Sequence, residues 1–204
     1  MRAPPETAAP PARSLAELLA DIRGCRLCAA HLPHSPRPVV QASEQARILI
    51  AGQAPGRRVH ESGRPFTDAS GQRLREWLGM DEAVFYESGA VAVAAMGFCY
   101  PGTAANGGDL PPRPECAPQW RAALLQRLPH IRLTLLVGLY AIAWRWPQAP
   151  RSLGAAVAAW REAPPGVIPL PHPSWRNTGW LKRHPWFEQE LTPVLRARVA
   201  EALA

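Results

Sequence analysis

Apolar residues in this chain fall into two kinds of run. Ile48-Leu49-Ile50-Ala51, Val91 to Ala95, Leu133 to Val137 and Val167-Ile168-Pro169-Leu170 are short unbroken blocks, the pattern of strands buried on both faces. Between them the apolar positions recur at helical spacing. Ser14 caps a helix through Leu15, Leu18, Leu19 and Ile22, with Glu17 completing a capping box and Gly24 ending the run. Leu74, Trp77 and Leu78 share a second helical face, stopped by Gly79. Pro114 opens a third helix of about four turns, carrying Cys116 in its first turn and Trp120, Leu124, Leu125 and Leu128 on one face. Further helices are expected from about Tyr140 to before Pro147, over Ser152 to Trp160, and from about Pro185 to Leu203. Strands alternating with helices predict an α/β fold with a parallel sheet covered on both faces. Pro169 within the last strand predicts an edge position.

In such a sheet, ligands sit outside the carboxyl ends of the strands. The first strand breaks there into Gly52-Gln53-Ala54-Pro55-Gly56, and the last into His172-Pro173-Ser174. These two loops are the expected halves of one active site. Residues 13–204 are expected to form a single domain, after a Pro/Ala-rich tail over 1–12 with nothing to bury. The apolar runs fall short of a bilayer span and the N-terminus carries no apolar block, so a cytoplasmic protein without a membrane partner is expected.

The net charge of +7 suits a polyanionic partner. Every basic residue except Lys182 is Arg, a bias with the look of codon composition, which weakens the argument from charge.

The four cysteines are Cys25, Cys28, Cys99 and Cys116. In a cytoplasmic chain a close pair and two distant singles read better as ligands than as disulfides, and four thiolates can hold zinc or a [4Fe-4S] cluster. The competing reading is four small buried apolar residues. His172, stiffened between Pro171 and Pro173, can stabilise a developing oxyanion. Of the other histidines only His60, inside the first stretch, is of interest. Phe66, in a Gly-flanked loop, is either loop packing or a platform for a planar base.

The order Gly52-x-Ala54-Pro55-Gly56, Gly63-x-Pro65-Phe66, the four cysteines and His172-Pro173-Ser174 resembles the uracil-DNA glycosylase superfamily, and most nearly its iron-sulfur family 4 type. The resemblance covers about residues 14–200. It implies a three-layer α/β/α sandwich with a central four-stranded parallel sheet, and a structural [4Fe-4S] cluster on Cys25, Cys28, Cys99 and Cys116. It further implies that the loop of Gly52, Gln53, Ala54, Pro55 and Gly56 positions the hydrolytic water and the sugar, that Phe66 stacks on a flipped base, and that His172 faces the base carbonyl. Ser174 would hold phosphate, and Trp175 or Arg176 would fill the gap in the duplex. The expected partner is DNA containing a damaged or deaminated base, and the expected state is a monomer. The implied reaction is hydrolysis of an N-glycosidic bond after base flipping. Lys182, the only lysine, lies past the His172 loop, so a monofunctional enzyme without a Schiff base is expected.

Four departures stand out. Gln53 replaces the family's Glu, and an amide can orient a water but cannot take its proton. Val59 replaces a second acidic residue, with His60 and Glu61 beside it. Ala95 stands where the family's uracil-reading Asn is expected, which removes a paired amide donor and acceptor. Trp175-Arg176-Asn177 is bulkier than the family's usual small residues, and Asn177 is a candidate for some of the missing polar contacts. A lesion- or nucleic-acid-binding protein of the same fold with little catalysis is therefore the alternative to a glycosylase.

Overall fold

The computed structural model describes residues 13–105 and 107–204; the tail expected over 1–12 lies outside the described residues. Four strands form one sheet in the order β2-β1-β3-β4, with β1 at Ile48–Ala51, β2 at Val91–Val93, β3 at Leu133–Val137 and β4 at Val167–Leu170. All pairings are parallel, with Ile48 opposite both Val91 and Leu133, and Thr134 opposite Val167. The strands are buried along their whole length. β4 is an edge strand, so Pro169 removes an N–H that a central strand would need.

The helices are α1 (Leu15–Gly24), α2 (Arg57–Ser62), α3 (Ala69–Leu78), α4 (Glu82–Tyr86), α5 (Cys116–Gln126), α6 (Leu139–Arg145), α7 (Leu153–Ala158), α8 (Thr178–Arg183) and α9 (Thr192–Leu203). Alternate strand residues face opposite layers. Ile48 and Ile50 pack with Leu74, Trp77 and Leu78 of α3 and with Leu195 and Val199 of α9. Leu49 joins Leu15, Leu18, Leu19 and Ile22 of α1 and Leu124 of α5. Ala51 and Leu136 pack with Ala141 and Ile142 of α6. The result is the three-layer α/β/α sandwich with a four-stranded parallel sheet. Each fully buried Leu or Ile contributes about 1.5–3 kcal/mol to its stability.

The capping box at Ser14 is present in full, and Gly79 ends α3 in the left-handed conformation at φ 65°. Three expectations are corrected. The helix expected from Pro114 begins at Cys116, which is its first residue, and ends at Gln126. The helix expected over Ser152 to Trp160 stops at Ala158 and tightens into a 3-10 turn over Trp160–Glu162. The closing helix is interrupted by a π-helical segment at Phe187–Leu191 before α9. Pro193, in the first turn of α9, has no N–H for the preceding turn, and Phe187 O accepts both the Thr192 N–H and, at 3.0 Å, Thr192 Oγ1–H.

Candidate active site

The loops at the carboxyl edge of the sheet enclose a cleft of about 520 Å³. Gly52, Gln53, Ala54, Pro55 and Gly56 line it after β1, Ala95 after β2, and His172, Pro173, Ser174 and Trp175 after β4. Phe66 lines it from the segment between α2 and α3. Of the candidates read from the sequence, Arg176 and Asn177 are absent from the lining. Both secure loops instead: Arg176 Nη2 donates to Gly107 O at 2.6 Å, and Asn177 Nδ2 donates to His172 O at 2.7 Å. Trp175 is the most exposed large apolar side chain described, at 75%.

The loop after β1 is held by the segment that follows β2. Met96 N–H donates to Gly52 O at 2.8 Å, and Gly97 N–H to Gln53 O at 2.9 Å. The Gln53 side chain donates through Nε2 to Leu110 O at 2.9 Å. A backbone carbonyl only accepts, so this bond fixes which end of the amide is nitrogen and leaves Oε1 as the acceptor end.

His172 has a defined tautomer. Ser174 N–H donates to its Nδ1 at 3.2 Å, so in the neutral ring the proton sits on Nε2. Burial holds the imidazole below its ordinary pKa, against the opposing pull of Asp68 and Asp109. A neutral ring with an N–H donor suits an oxygen that gains negative charge during reaction. The loop is braced from below by Arg73, whose Nη1 donates to Ser174 O at 3.2 Å and to Thr178 Oγ1 at 3.4 Å. Ser174 Oγ accepts from Arg176 N–H at 3.3 Å and so caps the short turn that carries Trp175.

Phe66 is the only non-glycine residue with positive φ among those described, at 54°, a conformation costing about 1–3 kcal/mol. Its carbonyl is clamped by Tyr86 Oη–H at 2.8 Å and Arg75 Nη1 at 3.2 Å. Gly71 permits the approach: a Cβ there would lie 1.7 Å from Phe66 O. The ring packs edge-on against Phe85 at 6.2 Å, and the residue also lines the cleft. Both readings of Phe66, packing and platform, are compatible with this placement.

His60 stands apart from the lining, grouped with His34 and Tyr100 at ring separations of 5.4 and 5.9 Å. Two carboxylates that the sequence reading passed over do line the cleft, Asp68 and Asp109. Asp68 caps α3, with Oδ1 accepting from Gly71 N–H at 3.1 Å. The Gly-Gly-Asp turn in a loop leaving β2 was the available signal for Asp109.

The cysteines meet in a second cavity. Cys25, Cys28, Cys99 and Cys116 all line it, joined by Phe98 and Trp120, and all four thiols are free. Burial pushes Cys99 and Cys116 up to about 11 and also raises Cys28. Cys116 Sγ accepts from Phe98 N–H at 3.3 Å, and the Arg37 backbone N–H works against the rise at Cys99. Among the described residues no three His, Cys, Asp or Glu side chains are grouped as a single metal ion needs. The cavity the cysteines line has about 20 Å³ of open space, room for about one water. Four thiols from three segments lining one cavity, with the Phe98 N–H donating to Cys116 Sγ, fit a thiolate-bound group by the chemistry of the donor set. Beside them Arg121 is buried at 4% exposure. It donates twice to Ala94 O, at 3.0 and 3.1 Å, and lies 3.9 Å over the Trp144 ring. Burial lowers its pKa to about 10.

A parallel sheet whose carboxyl edge gathers His172, Phe66 and a Gly/Pro loop around one cleft defines an α/β protein with a candidate ligand site at that edge. The uracil DNA glycosylase superfamily model matches residues 39–196, and the chain belongs to that family. The matched range includes Cys99 and Cys116 and begins after Cys25 and Cys28. The chain is also similar to a type-4 uracil-DNA glycosylase of Archaeoglobus fulgidus, 35% identical over 65 residues. That alignment covers 32% of this chain and 33% of the relative, so the chain matches about a third of the curated relative's length. Among the described residues no helix is long and apolar enough to cross a membrane.

Proposed function

We propose that the protein is a monofunctional DNA glycosylase that hydrolyses the N-glycosidic bond of uracil or a related deaminated base. The observation that carries this reading is His172. Its Nδ1 is occupied by Ser174 N–H, its Nε2 is left as donor, and it shares a cleft with Phe66 and the loop of Gly52, Gln53, Ala54, Pro55 and Gly56. Superfamily membership supports the reaction class.

In this mechanism the target nucleotide leaves the stack. Its base lies on Phe66, and Trp175, exposed at the cleft mouth, occupies the vacated space in the duplex. The C1′–N bond breaks with its electron pair passing to the base, whose carbonyl oxygen gains charge and accepts from His172 Nε2–H. Water adds its oxygen to C1′, and the base ends with a proton on nitrogen. Arg58, Arg73 and Ser174 at the cleft are the groups nearest to hand for backbone phosphates. Ala95 offers no side-chain hydrogen bond, so base identity is read by backbone groups and by shape, which favours tolerance among related bases.

The resident group we assign to Cys25, Cys28, Cys99 and Cys116 is a [4Fe-4S] cluster, zinc being the other occupant that four thiolates accept. It supplies a cross-link between the α1 end, the loop after β2 and the start of α5, and it is structural. The protein acts as a soluble cytoplasmic monomer on damaged DNA, with residues 13–204 as one domain.

The test is strand scission by alkali after incubation with oligonucleotides carrying uracil, hypoxanthine, xanthine or hydroxymethyluracil. Scission at one or more of these bases is expected. Tight binding without scission for all of them supports the alternative, a lesion-binding protein, which Gln53 and Ala95 favour.

A further inference from the structure

The family's motif-1 carboxylate is Gln53 here, so the cleft needs another acceptor for the water's proton. We propose that Asp109 is that group: the carboxylate that holds the attacking water and takes its proton, supplied by the loop that follows β2. This rests on the glycosylase reading above.

The loop's geometry delivers Asp109 to the water-and-sugar loop. An isolated antiparallel bridge pairs Thr103 with Asp109, Leu110 N–H donates to Gly102 O at 2.9 Å, and Ala104 N–H donates to Gly108 O at 2.7 Å. Left-handed glycines at 102 and 107, with φ of 104° and 79°, make the turn. The strap is closed from two sides: Gln53 Nε2 donates to Leu110 O, and Arg176 Nη2 donates to Gly107 O. Asp109 Oδ2 then lies 3.5 Å from the position that a Cβ on Gly56 would take. Gln53 is thereby anchored to the residue next to Asp109. An amide that can orient a water is thus bonded to the residue that follows a carboxylate able to deprotonate one, and both line the same cleft.

Asp109 is exposed as a residue, on the rim, yet burial is the largest influence on its carboxyl and raises its pKa above the ordinary carboxylate value. The titratable and charged groups facing it are Arg176 and Arg57, and His172 when protonated, which favour the ionised form, and Asp68, which opposes it. Asp68 is the other carboxylate in the cleft, but its Oδ1 is committed to capping α3.

In the step proposed, a water O–H proton passes to Asp109 while the water oxygen's electron pair forms the bond to C1′. The C1′–N pair leaves with the base, whose oxygen charge rests on His172 Nε2–H. The proton on Asp109 is then released through solvent to the base nitrogen, restoring the carboxylate. One water is consumed, and no oxidant or metal enters.

The experiment measures single-turnover excision of uracil by the full chain, from acidic to neutral pH, beside binding to DNA with an abasic site. Asp109→Asn is expected to lower the rate about 10²- to 10⁴-fold, to erase the acidic limb seen in wild type, and to leave abasic-site binding intact. Formate is expected to restore part of the rate to Asp109→Ala, as a small carboxylate in the vacated place. Wild-type rates in Asp109→Asn, or a loss confined to Asp68→Asn, would overturn the assignment while the glycosylase reading stands. A wild-type protein that excises no base overturns both. A wild-type pH profile with no acidic limb also counts against Asp109, independently of how the variants fold.

Discussion

The cleft and the cysteine cavity are neighbours that share one segment, the loop after β2, yet they are built on opposite plans. The cysteine cavity gathers four identical groups whose positions in sequence already suggest a ligand set. The cleft gathers single residues of different kinds from four loops, each held by its own brace: Ser174 N–H on His172, Gly71 under Phe66, Leu110 O on Gln53. A site made of like groups tolerates little substitution of kind. A site made of unlike groups can lose one carboxylate and recover it from another loop, provided the replacement reaches the same point in space.

The largest expected effect lies at the cysteine cavity. Cys99→Ser or Cys116→Ser should abolish the bound group, read as loss of visible absorption and of iron and sulfide, with a large fall in thermal midpoint. Colourless, zinc-containing wild-type protein would contradict the cluster assignment. The same variants test whether the shared loop depends on the cavity, because Asp109 leaves its place if that loop loosens.

Gly71→Ala acts on the other side of the comparison. The new methyl collides with Phe66 O, so Phe66 must abandon its left-handed backbone; a destabilisation of about 3 kcal/mol is expected in denaturant titration. Base excision should fall with it, while the visible spectrum is unchanged. Loss of the spectrum in Gly71→Ala would show that the two regions are not independently supported.

Trp175→Ala should have the smallest effect on the fold, within about 0.5 kcal/mol, because the side chain is exposed. Binding to a duplex containing uracil should weaken about tenfold, on the scale of one lost stacking contact, and binding to the single strand should change less. Equal losses on both substrates would remove Trp175 from the role of duplex wedge.

The sequence made the strands, the edge position of Pro169 and the β1 and β4 loops legible because each is a local signal: an unbroken apolar block, a missing N–H, a Gly/Pro break. The short helices α2, α4 and α8 were not legible. At five or six residues each carries too few turns to establish a period, and α7, as short, was legible only within the longer Ala-rich run from Ser152 to Trp160. The π-helical break before α9 follows from Pro193, whose effect depends on where the helix starts, and the sequence leaves that start ambiguous. In the site, His172 and Phe66 were readable from their loops, but the tautomer of His172 and the strain at Phe66 depend on Ser174 N–H and Gly71, which only the fold brings to bear. Asp109 carried only its Gly-Gly-Asp turn as a local signal, and its place in the cleft likewise depends on the fold. Nothing periodic links residue 109 to residue 56, and their approach is set by one isolated bridge and two glycine turns. Arg176 and Asn177, expected as DNA or base contacts, also tie the His172 loop to its surroundings, bonds that the sequence alone did not show.

The central claim, that this cleft hydrolyses an N-glycosidic bond by stabilising charge on the departing base through His172, is tested most directly by single-turnover excision from a uracil-containing oligonucleotide. Wild type should generate abasic sites. His172→Ala should be slower by about 10²- to 10³-fold, the cost of one preorganised donor, while retaining its fold and its affinity for the abasic product. An unchanged rate in His172→Ala, or no excision by wild type, would contradict the account.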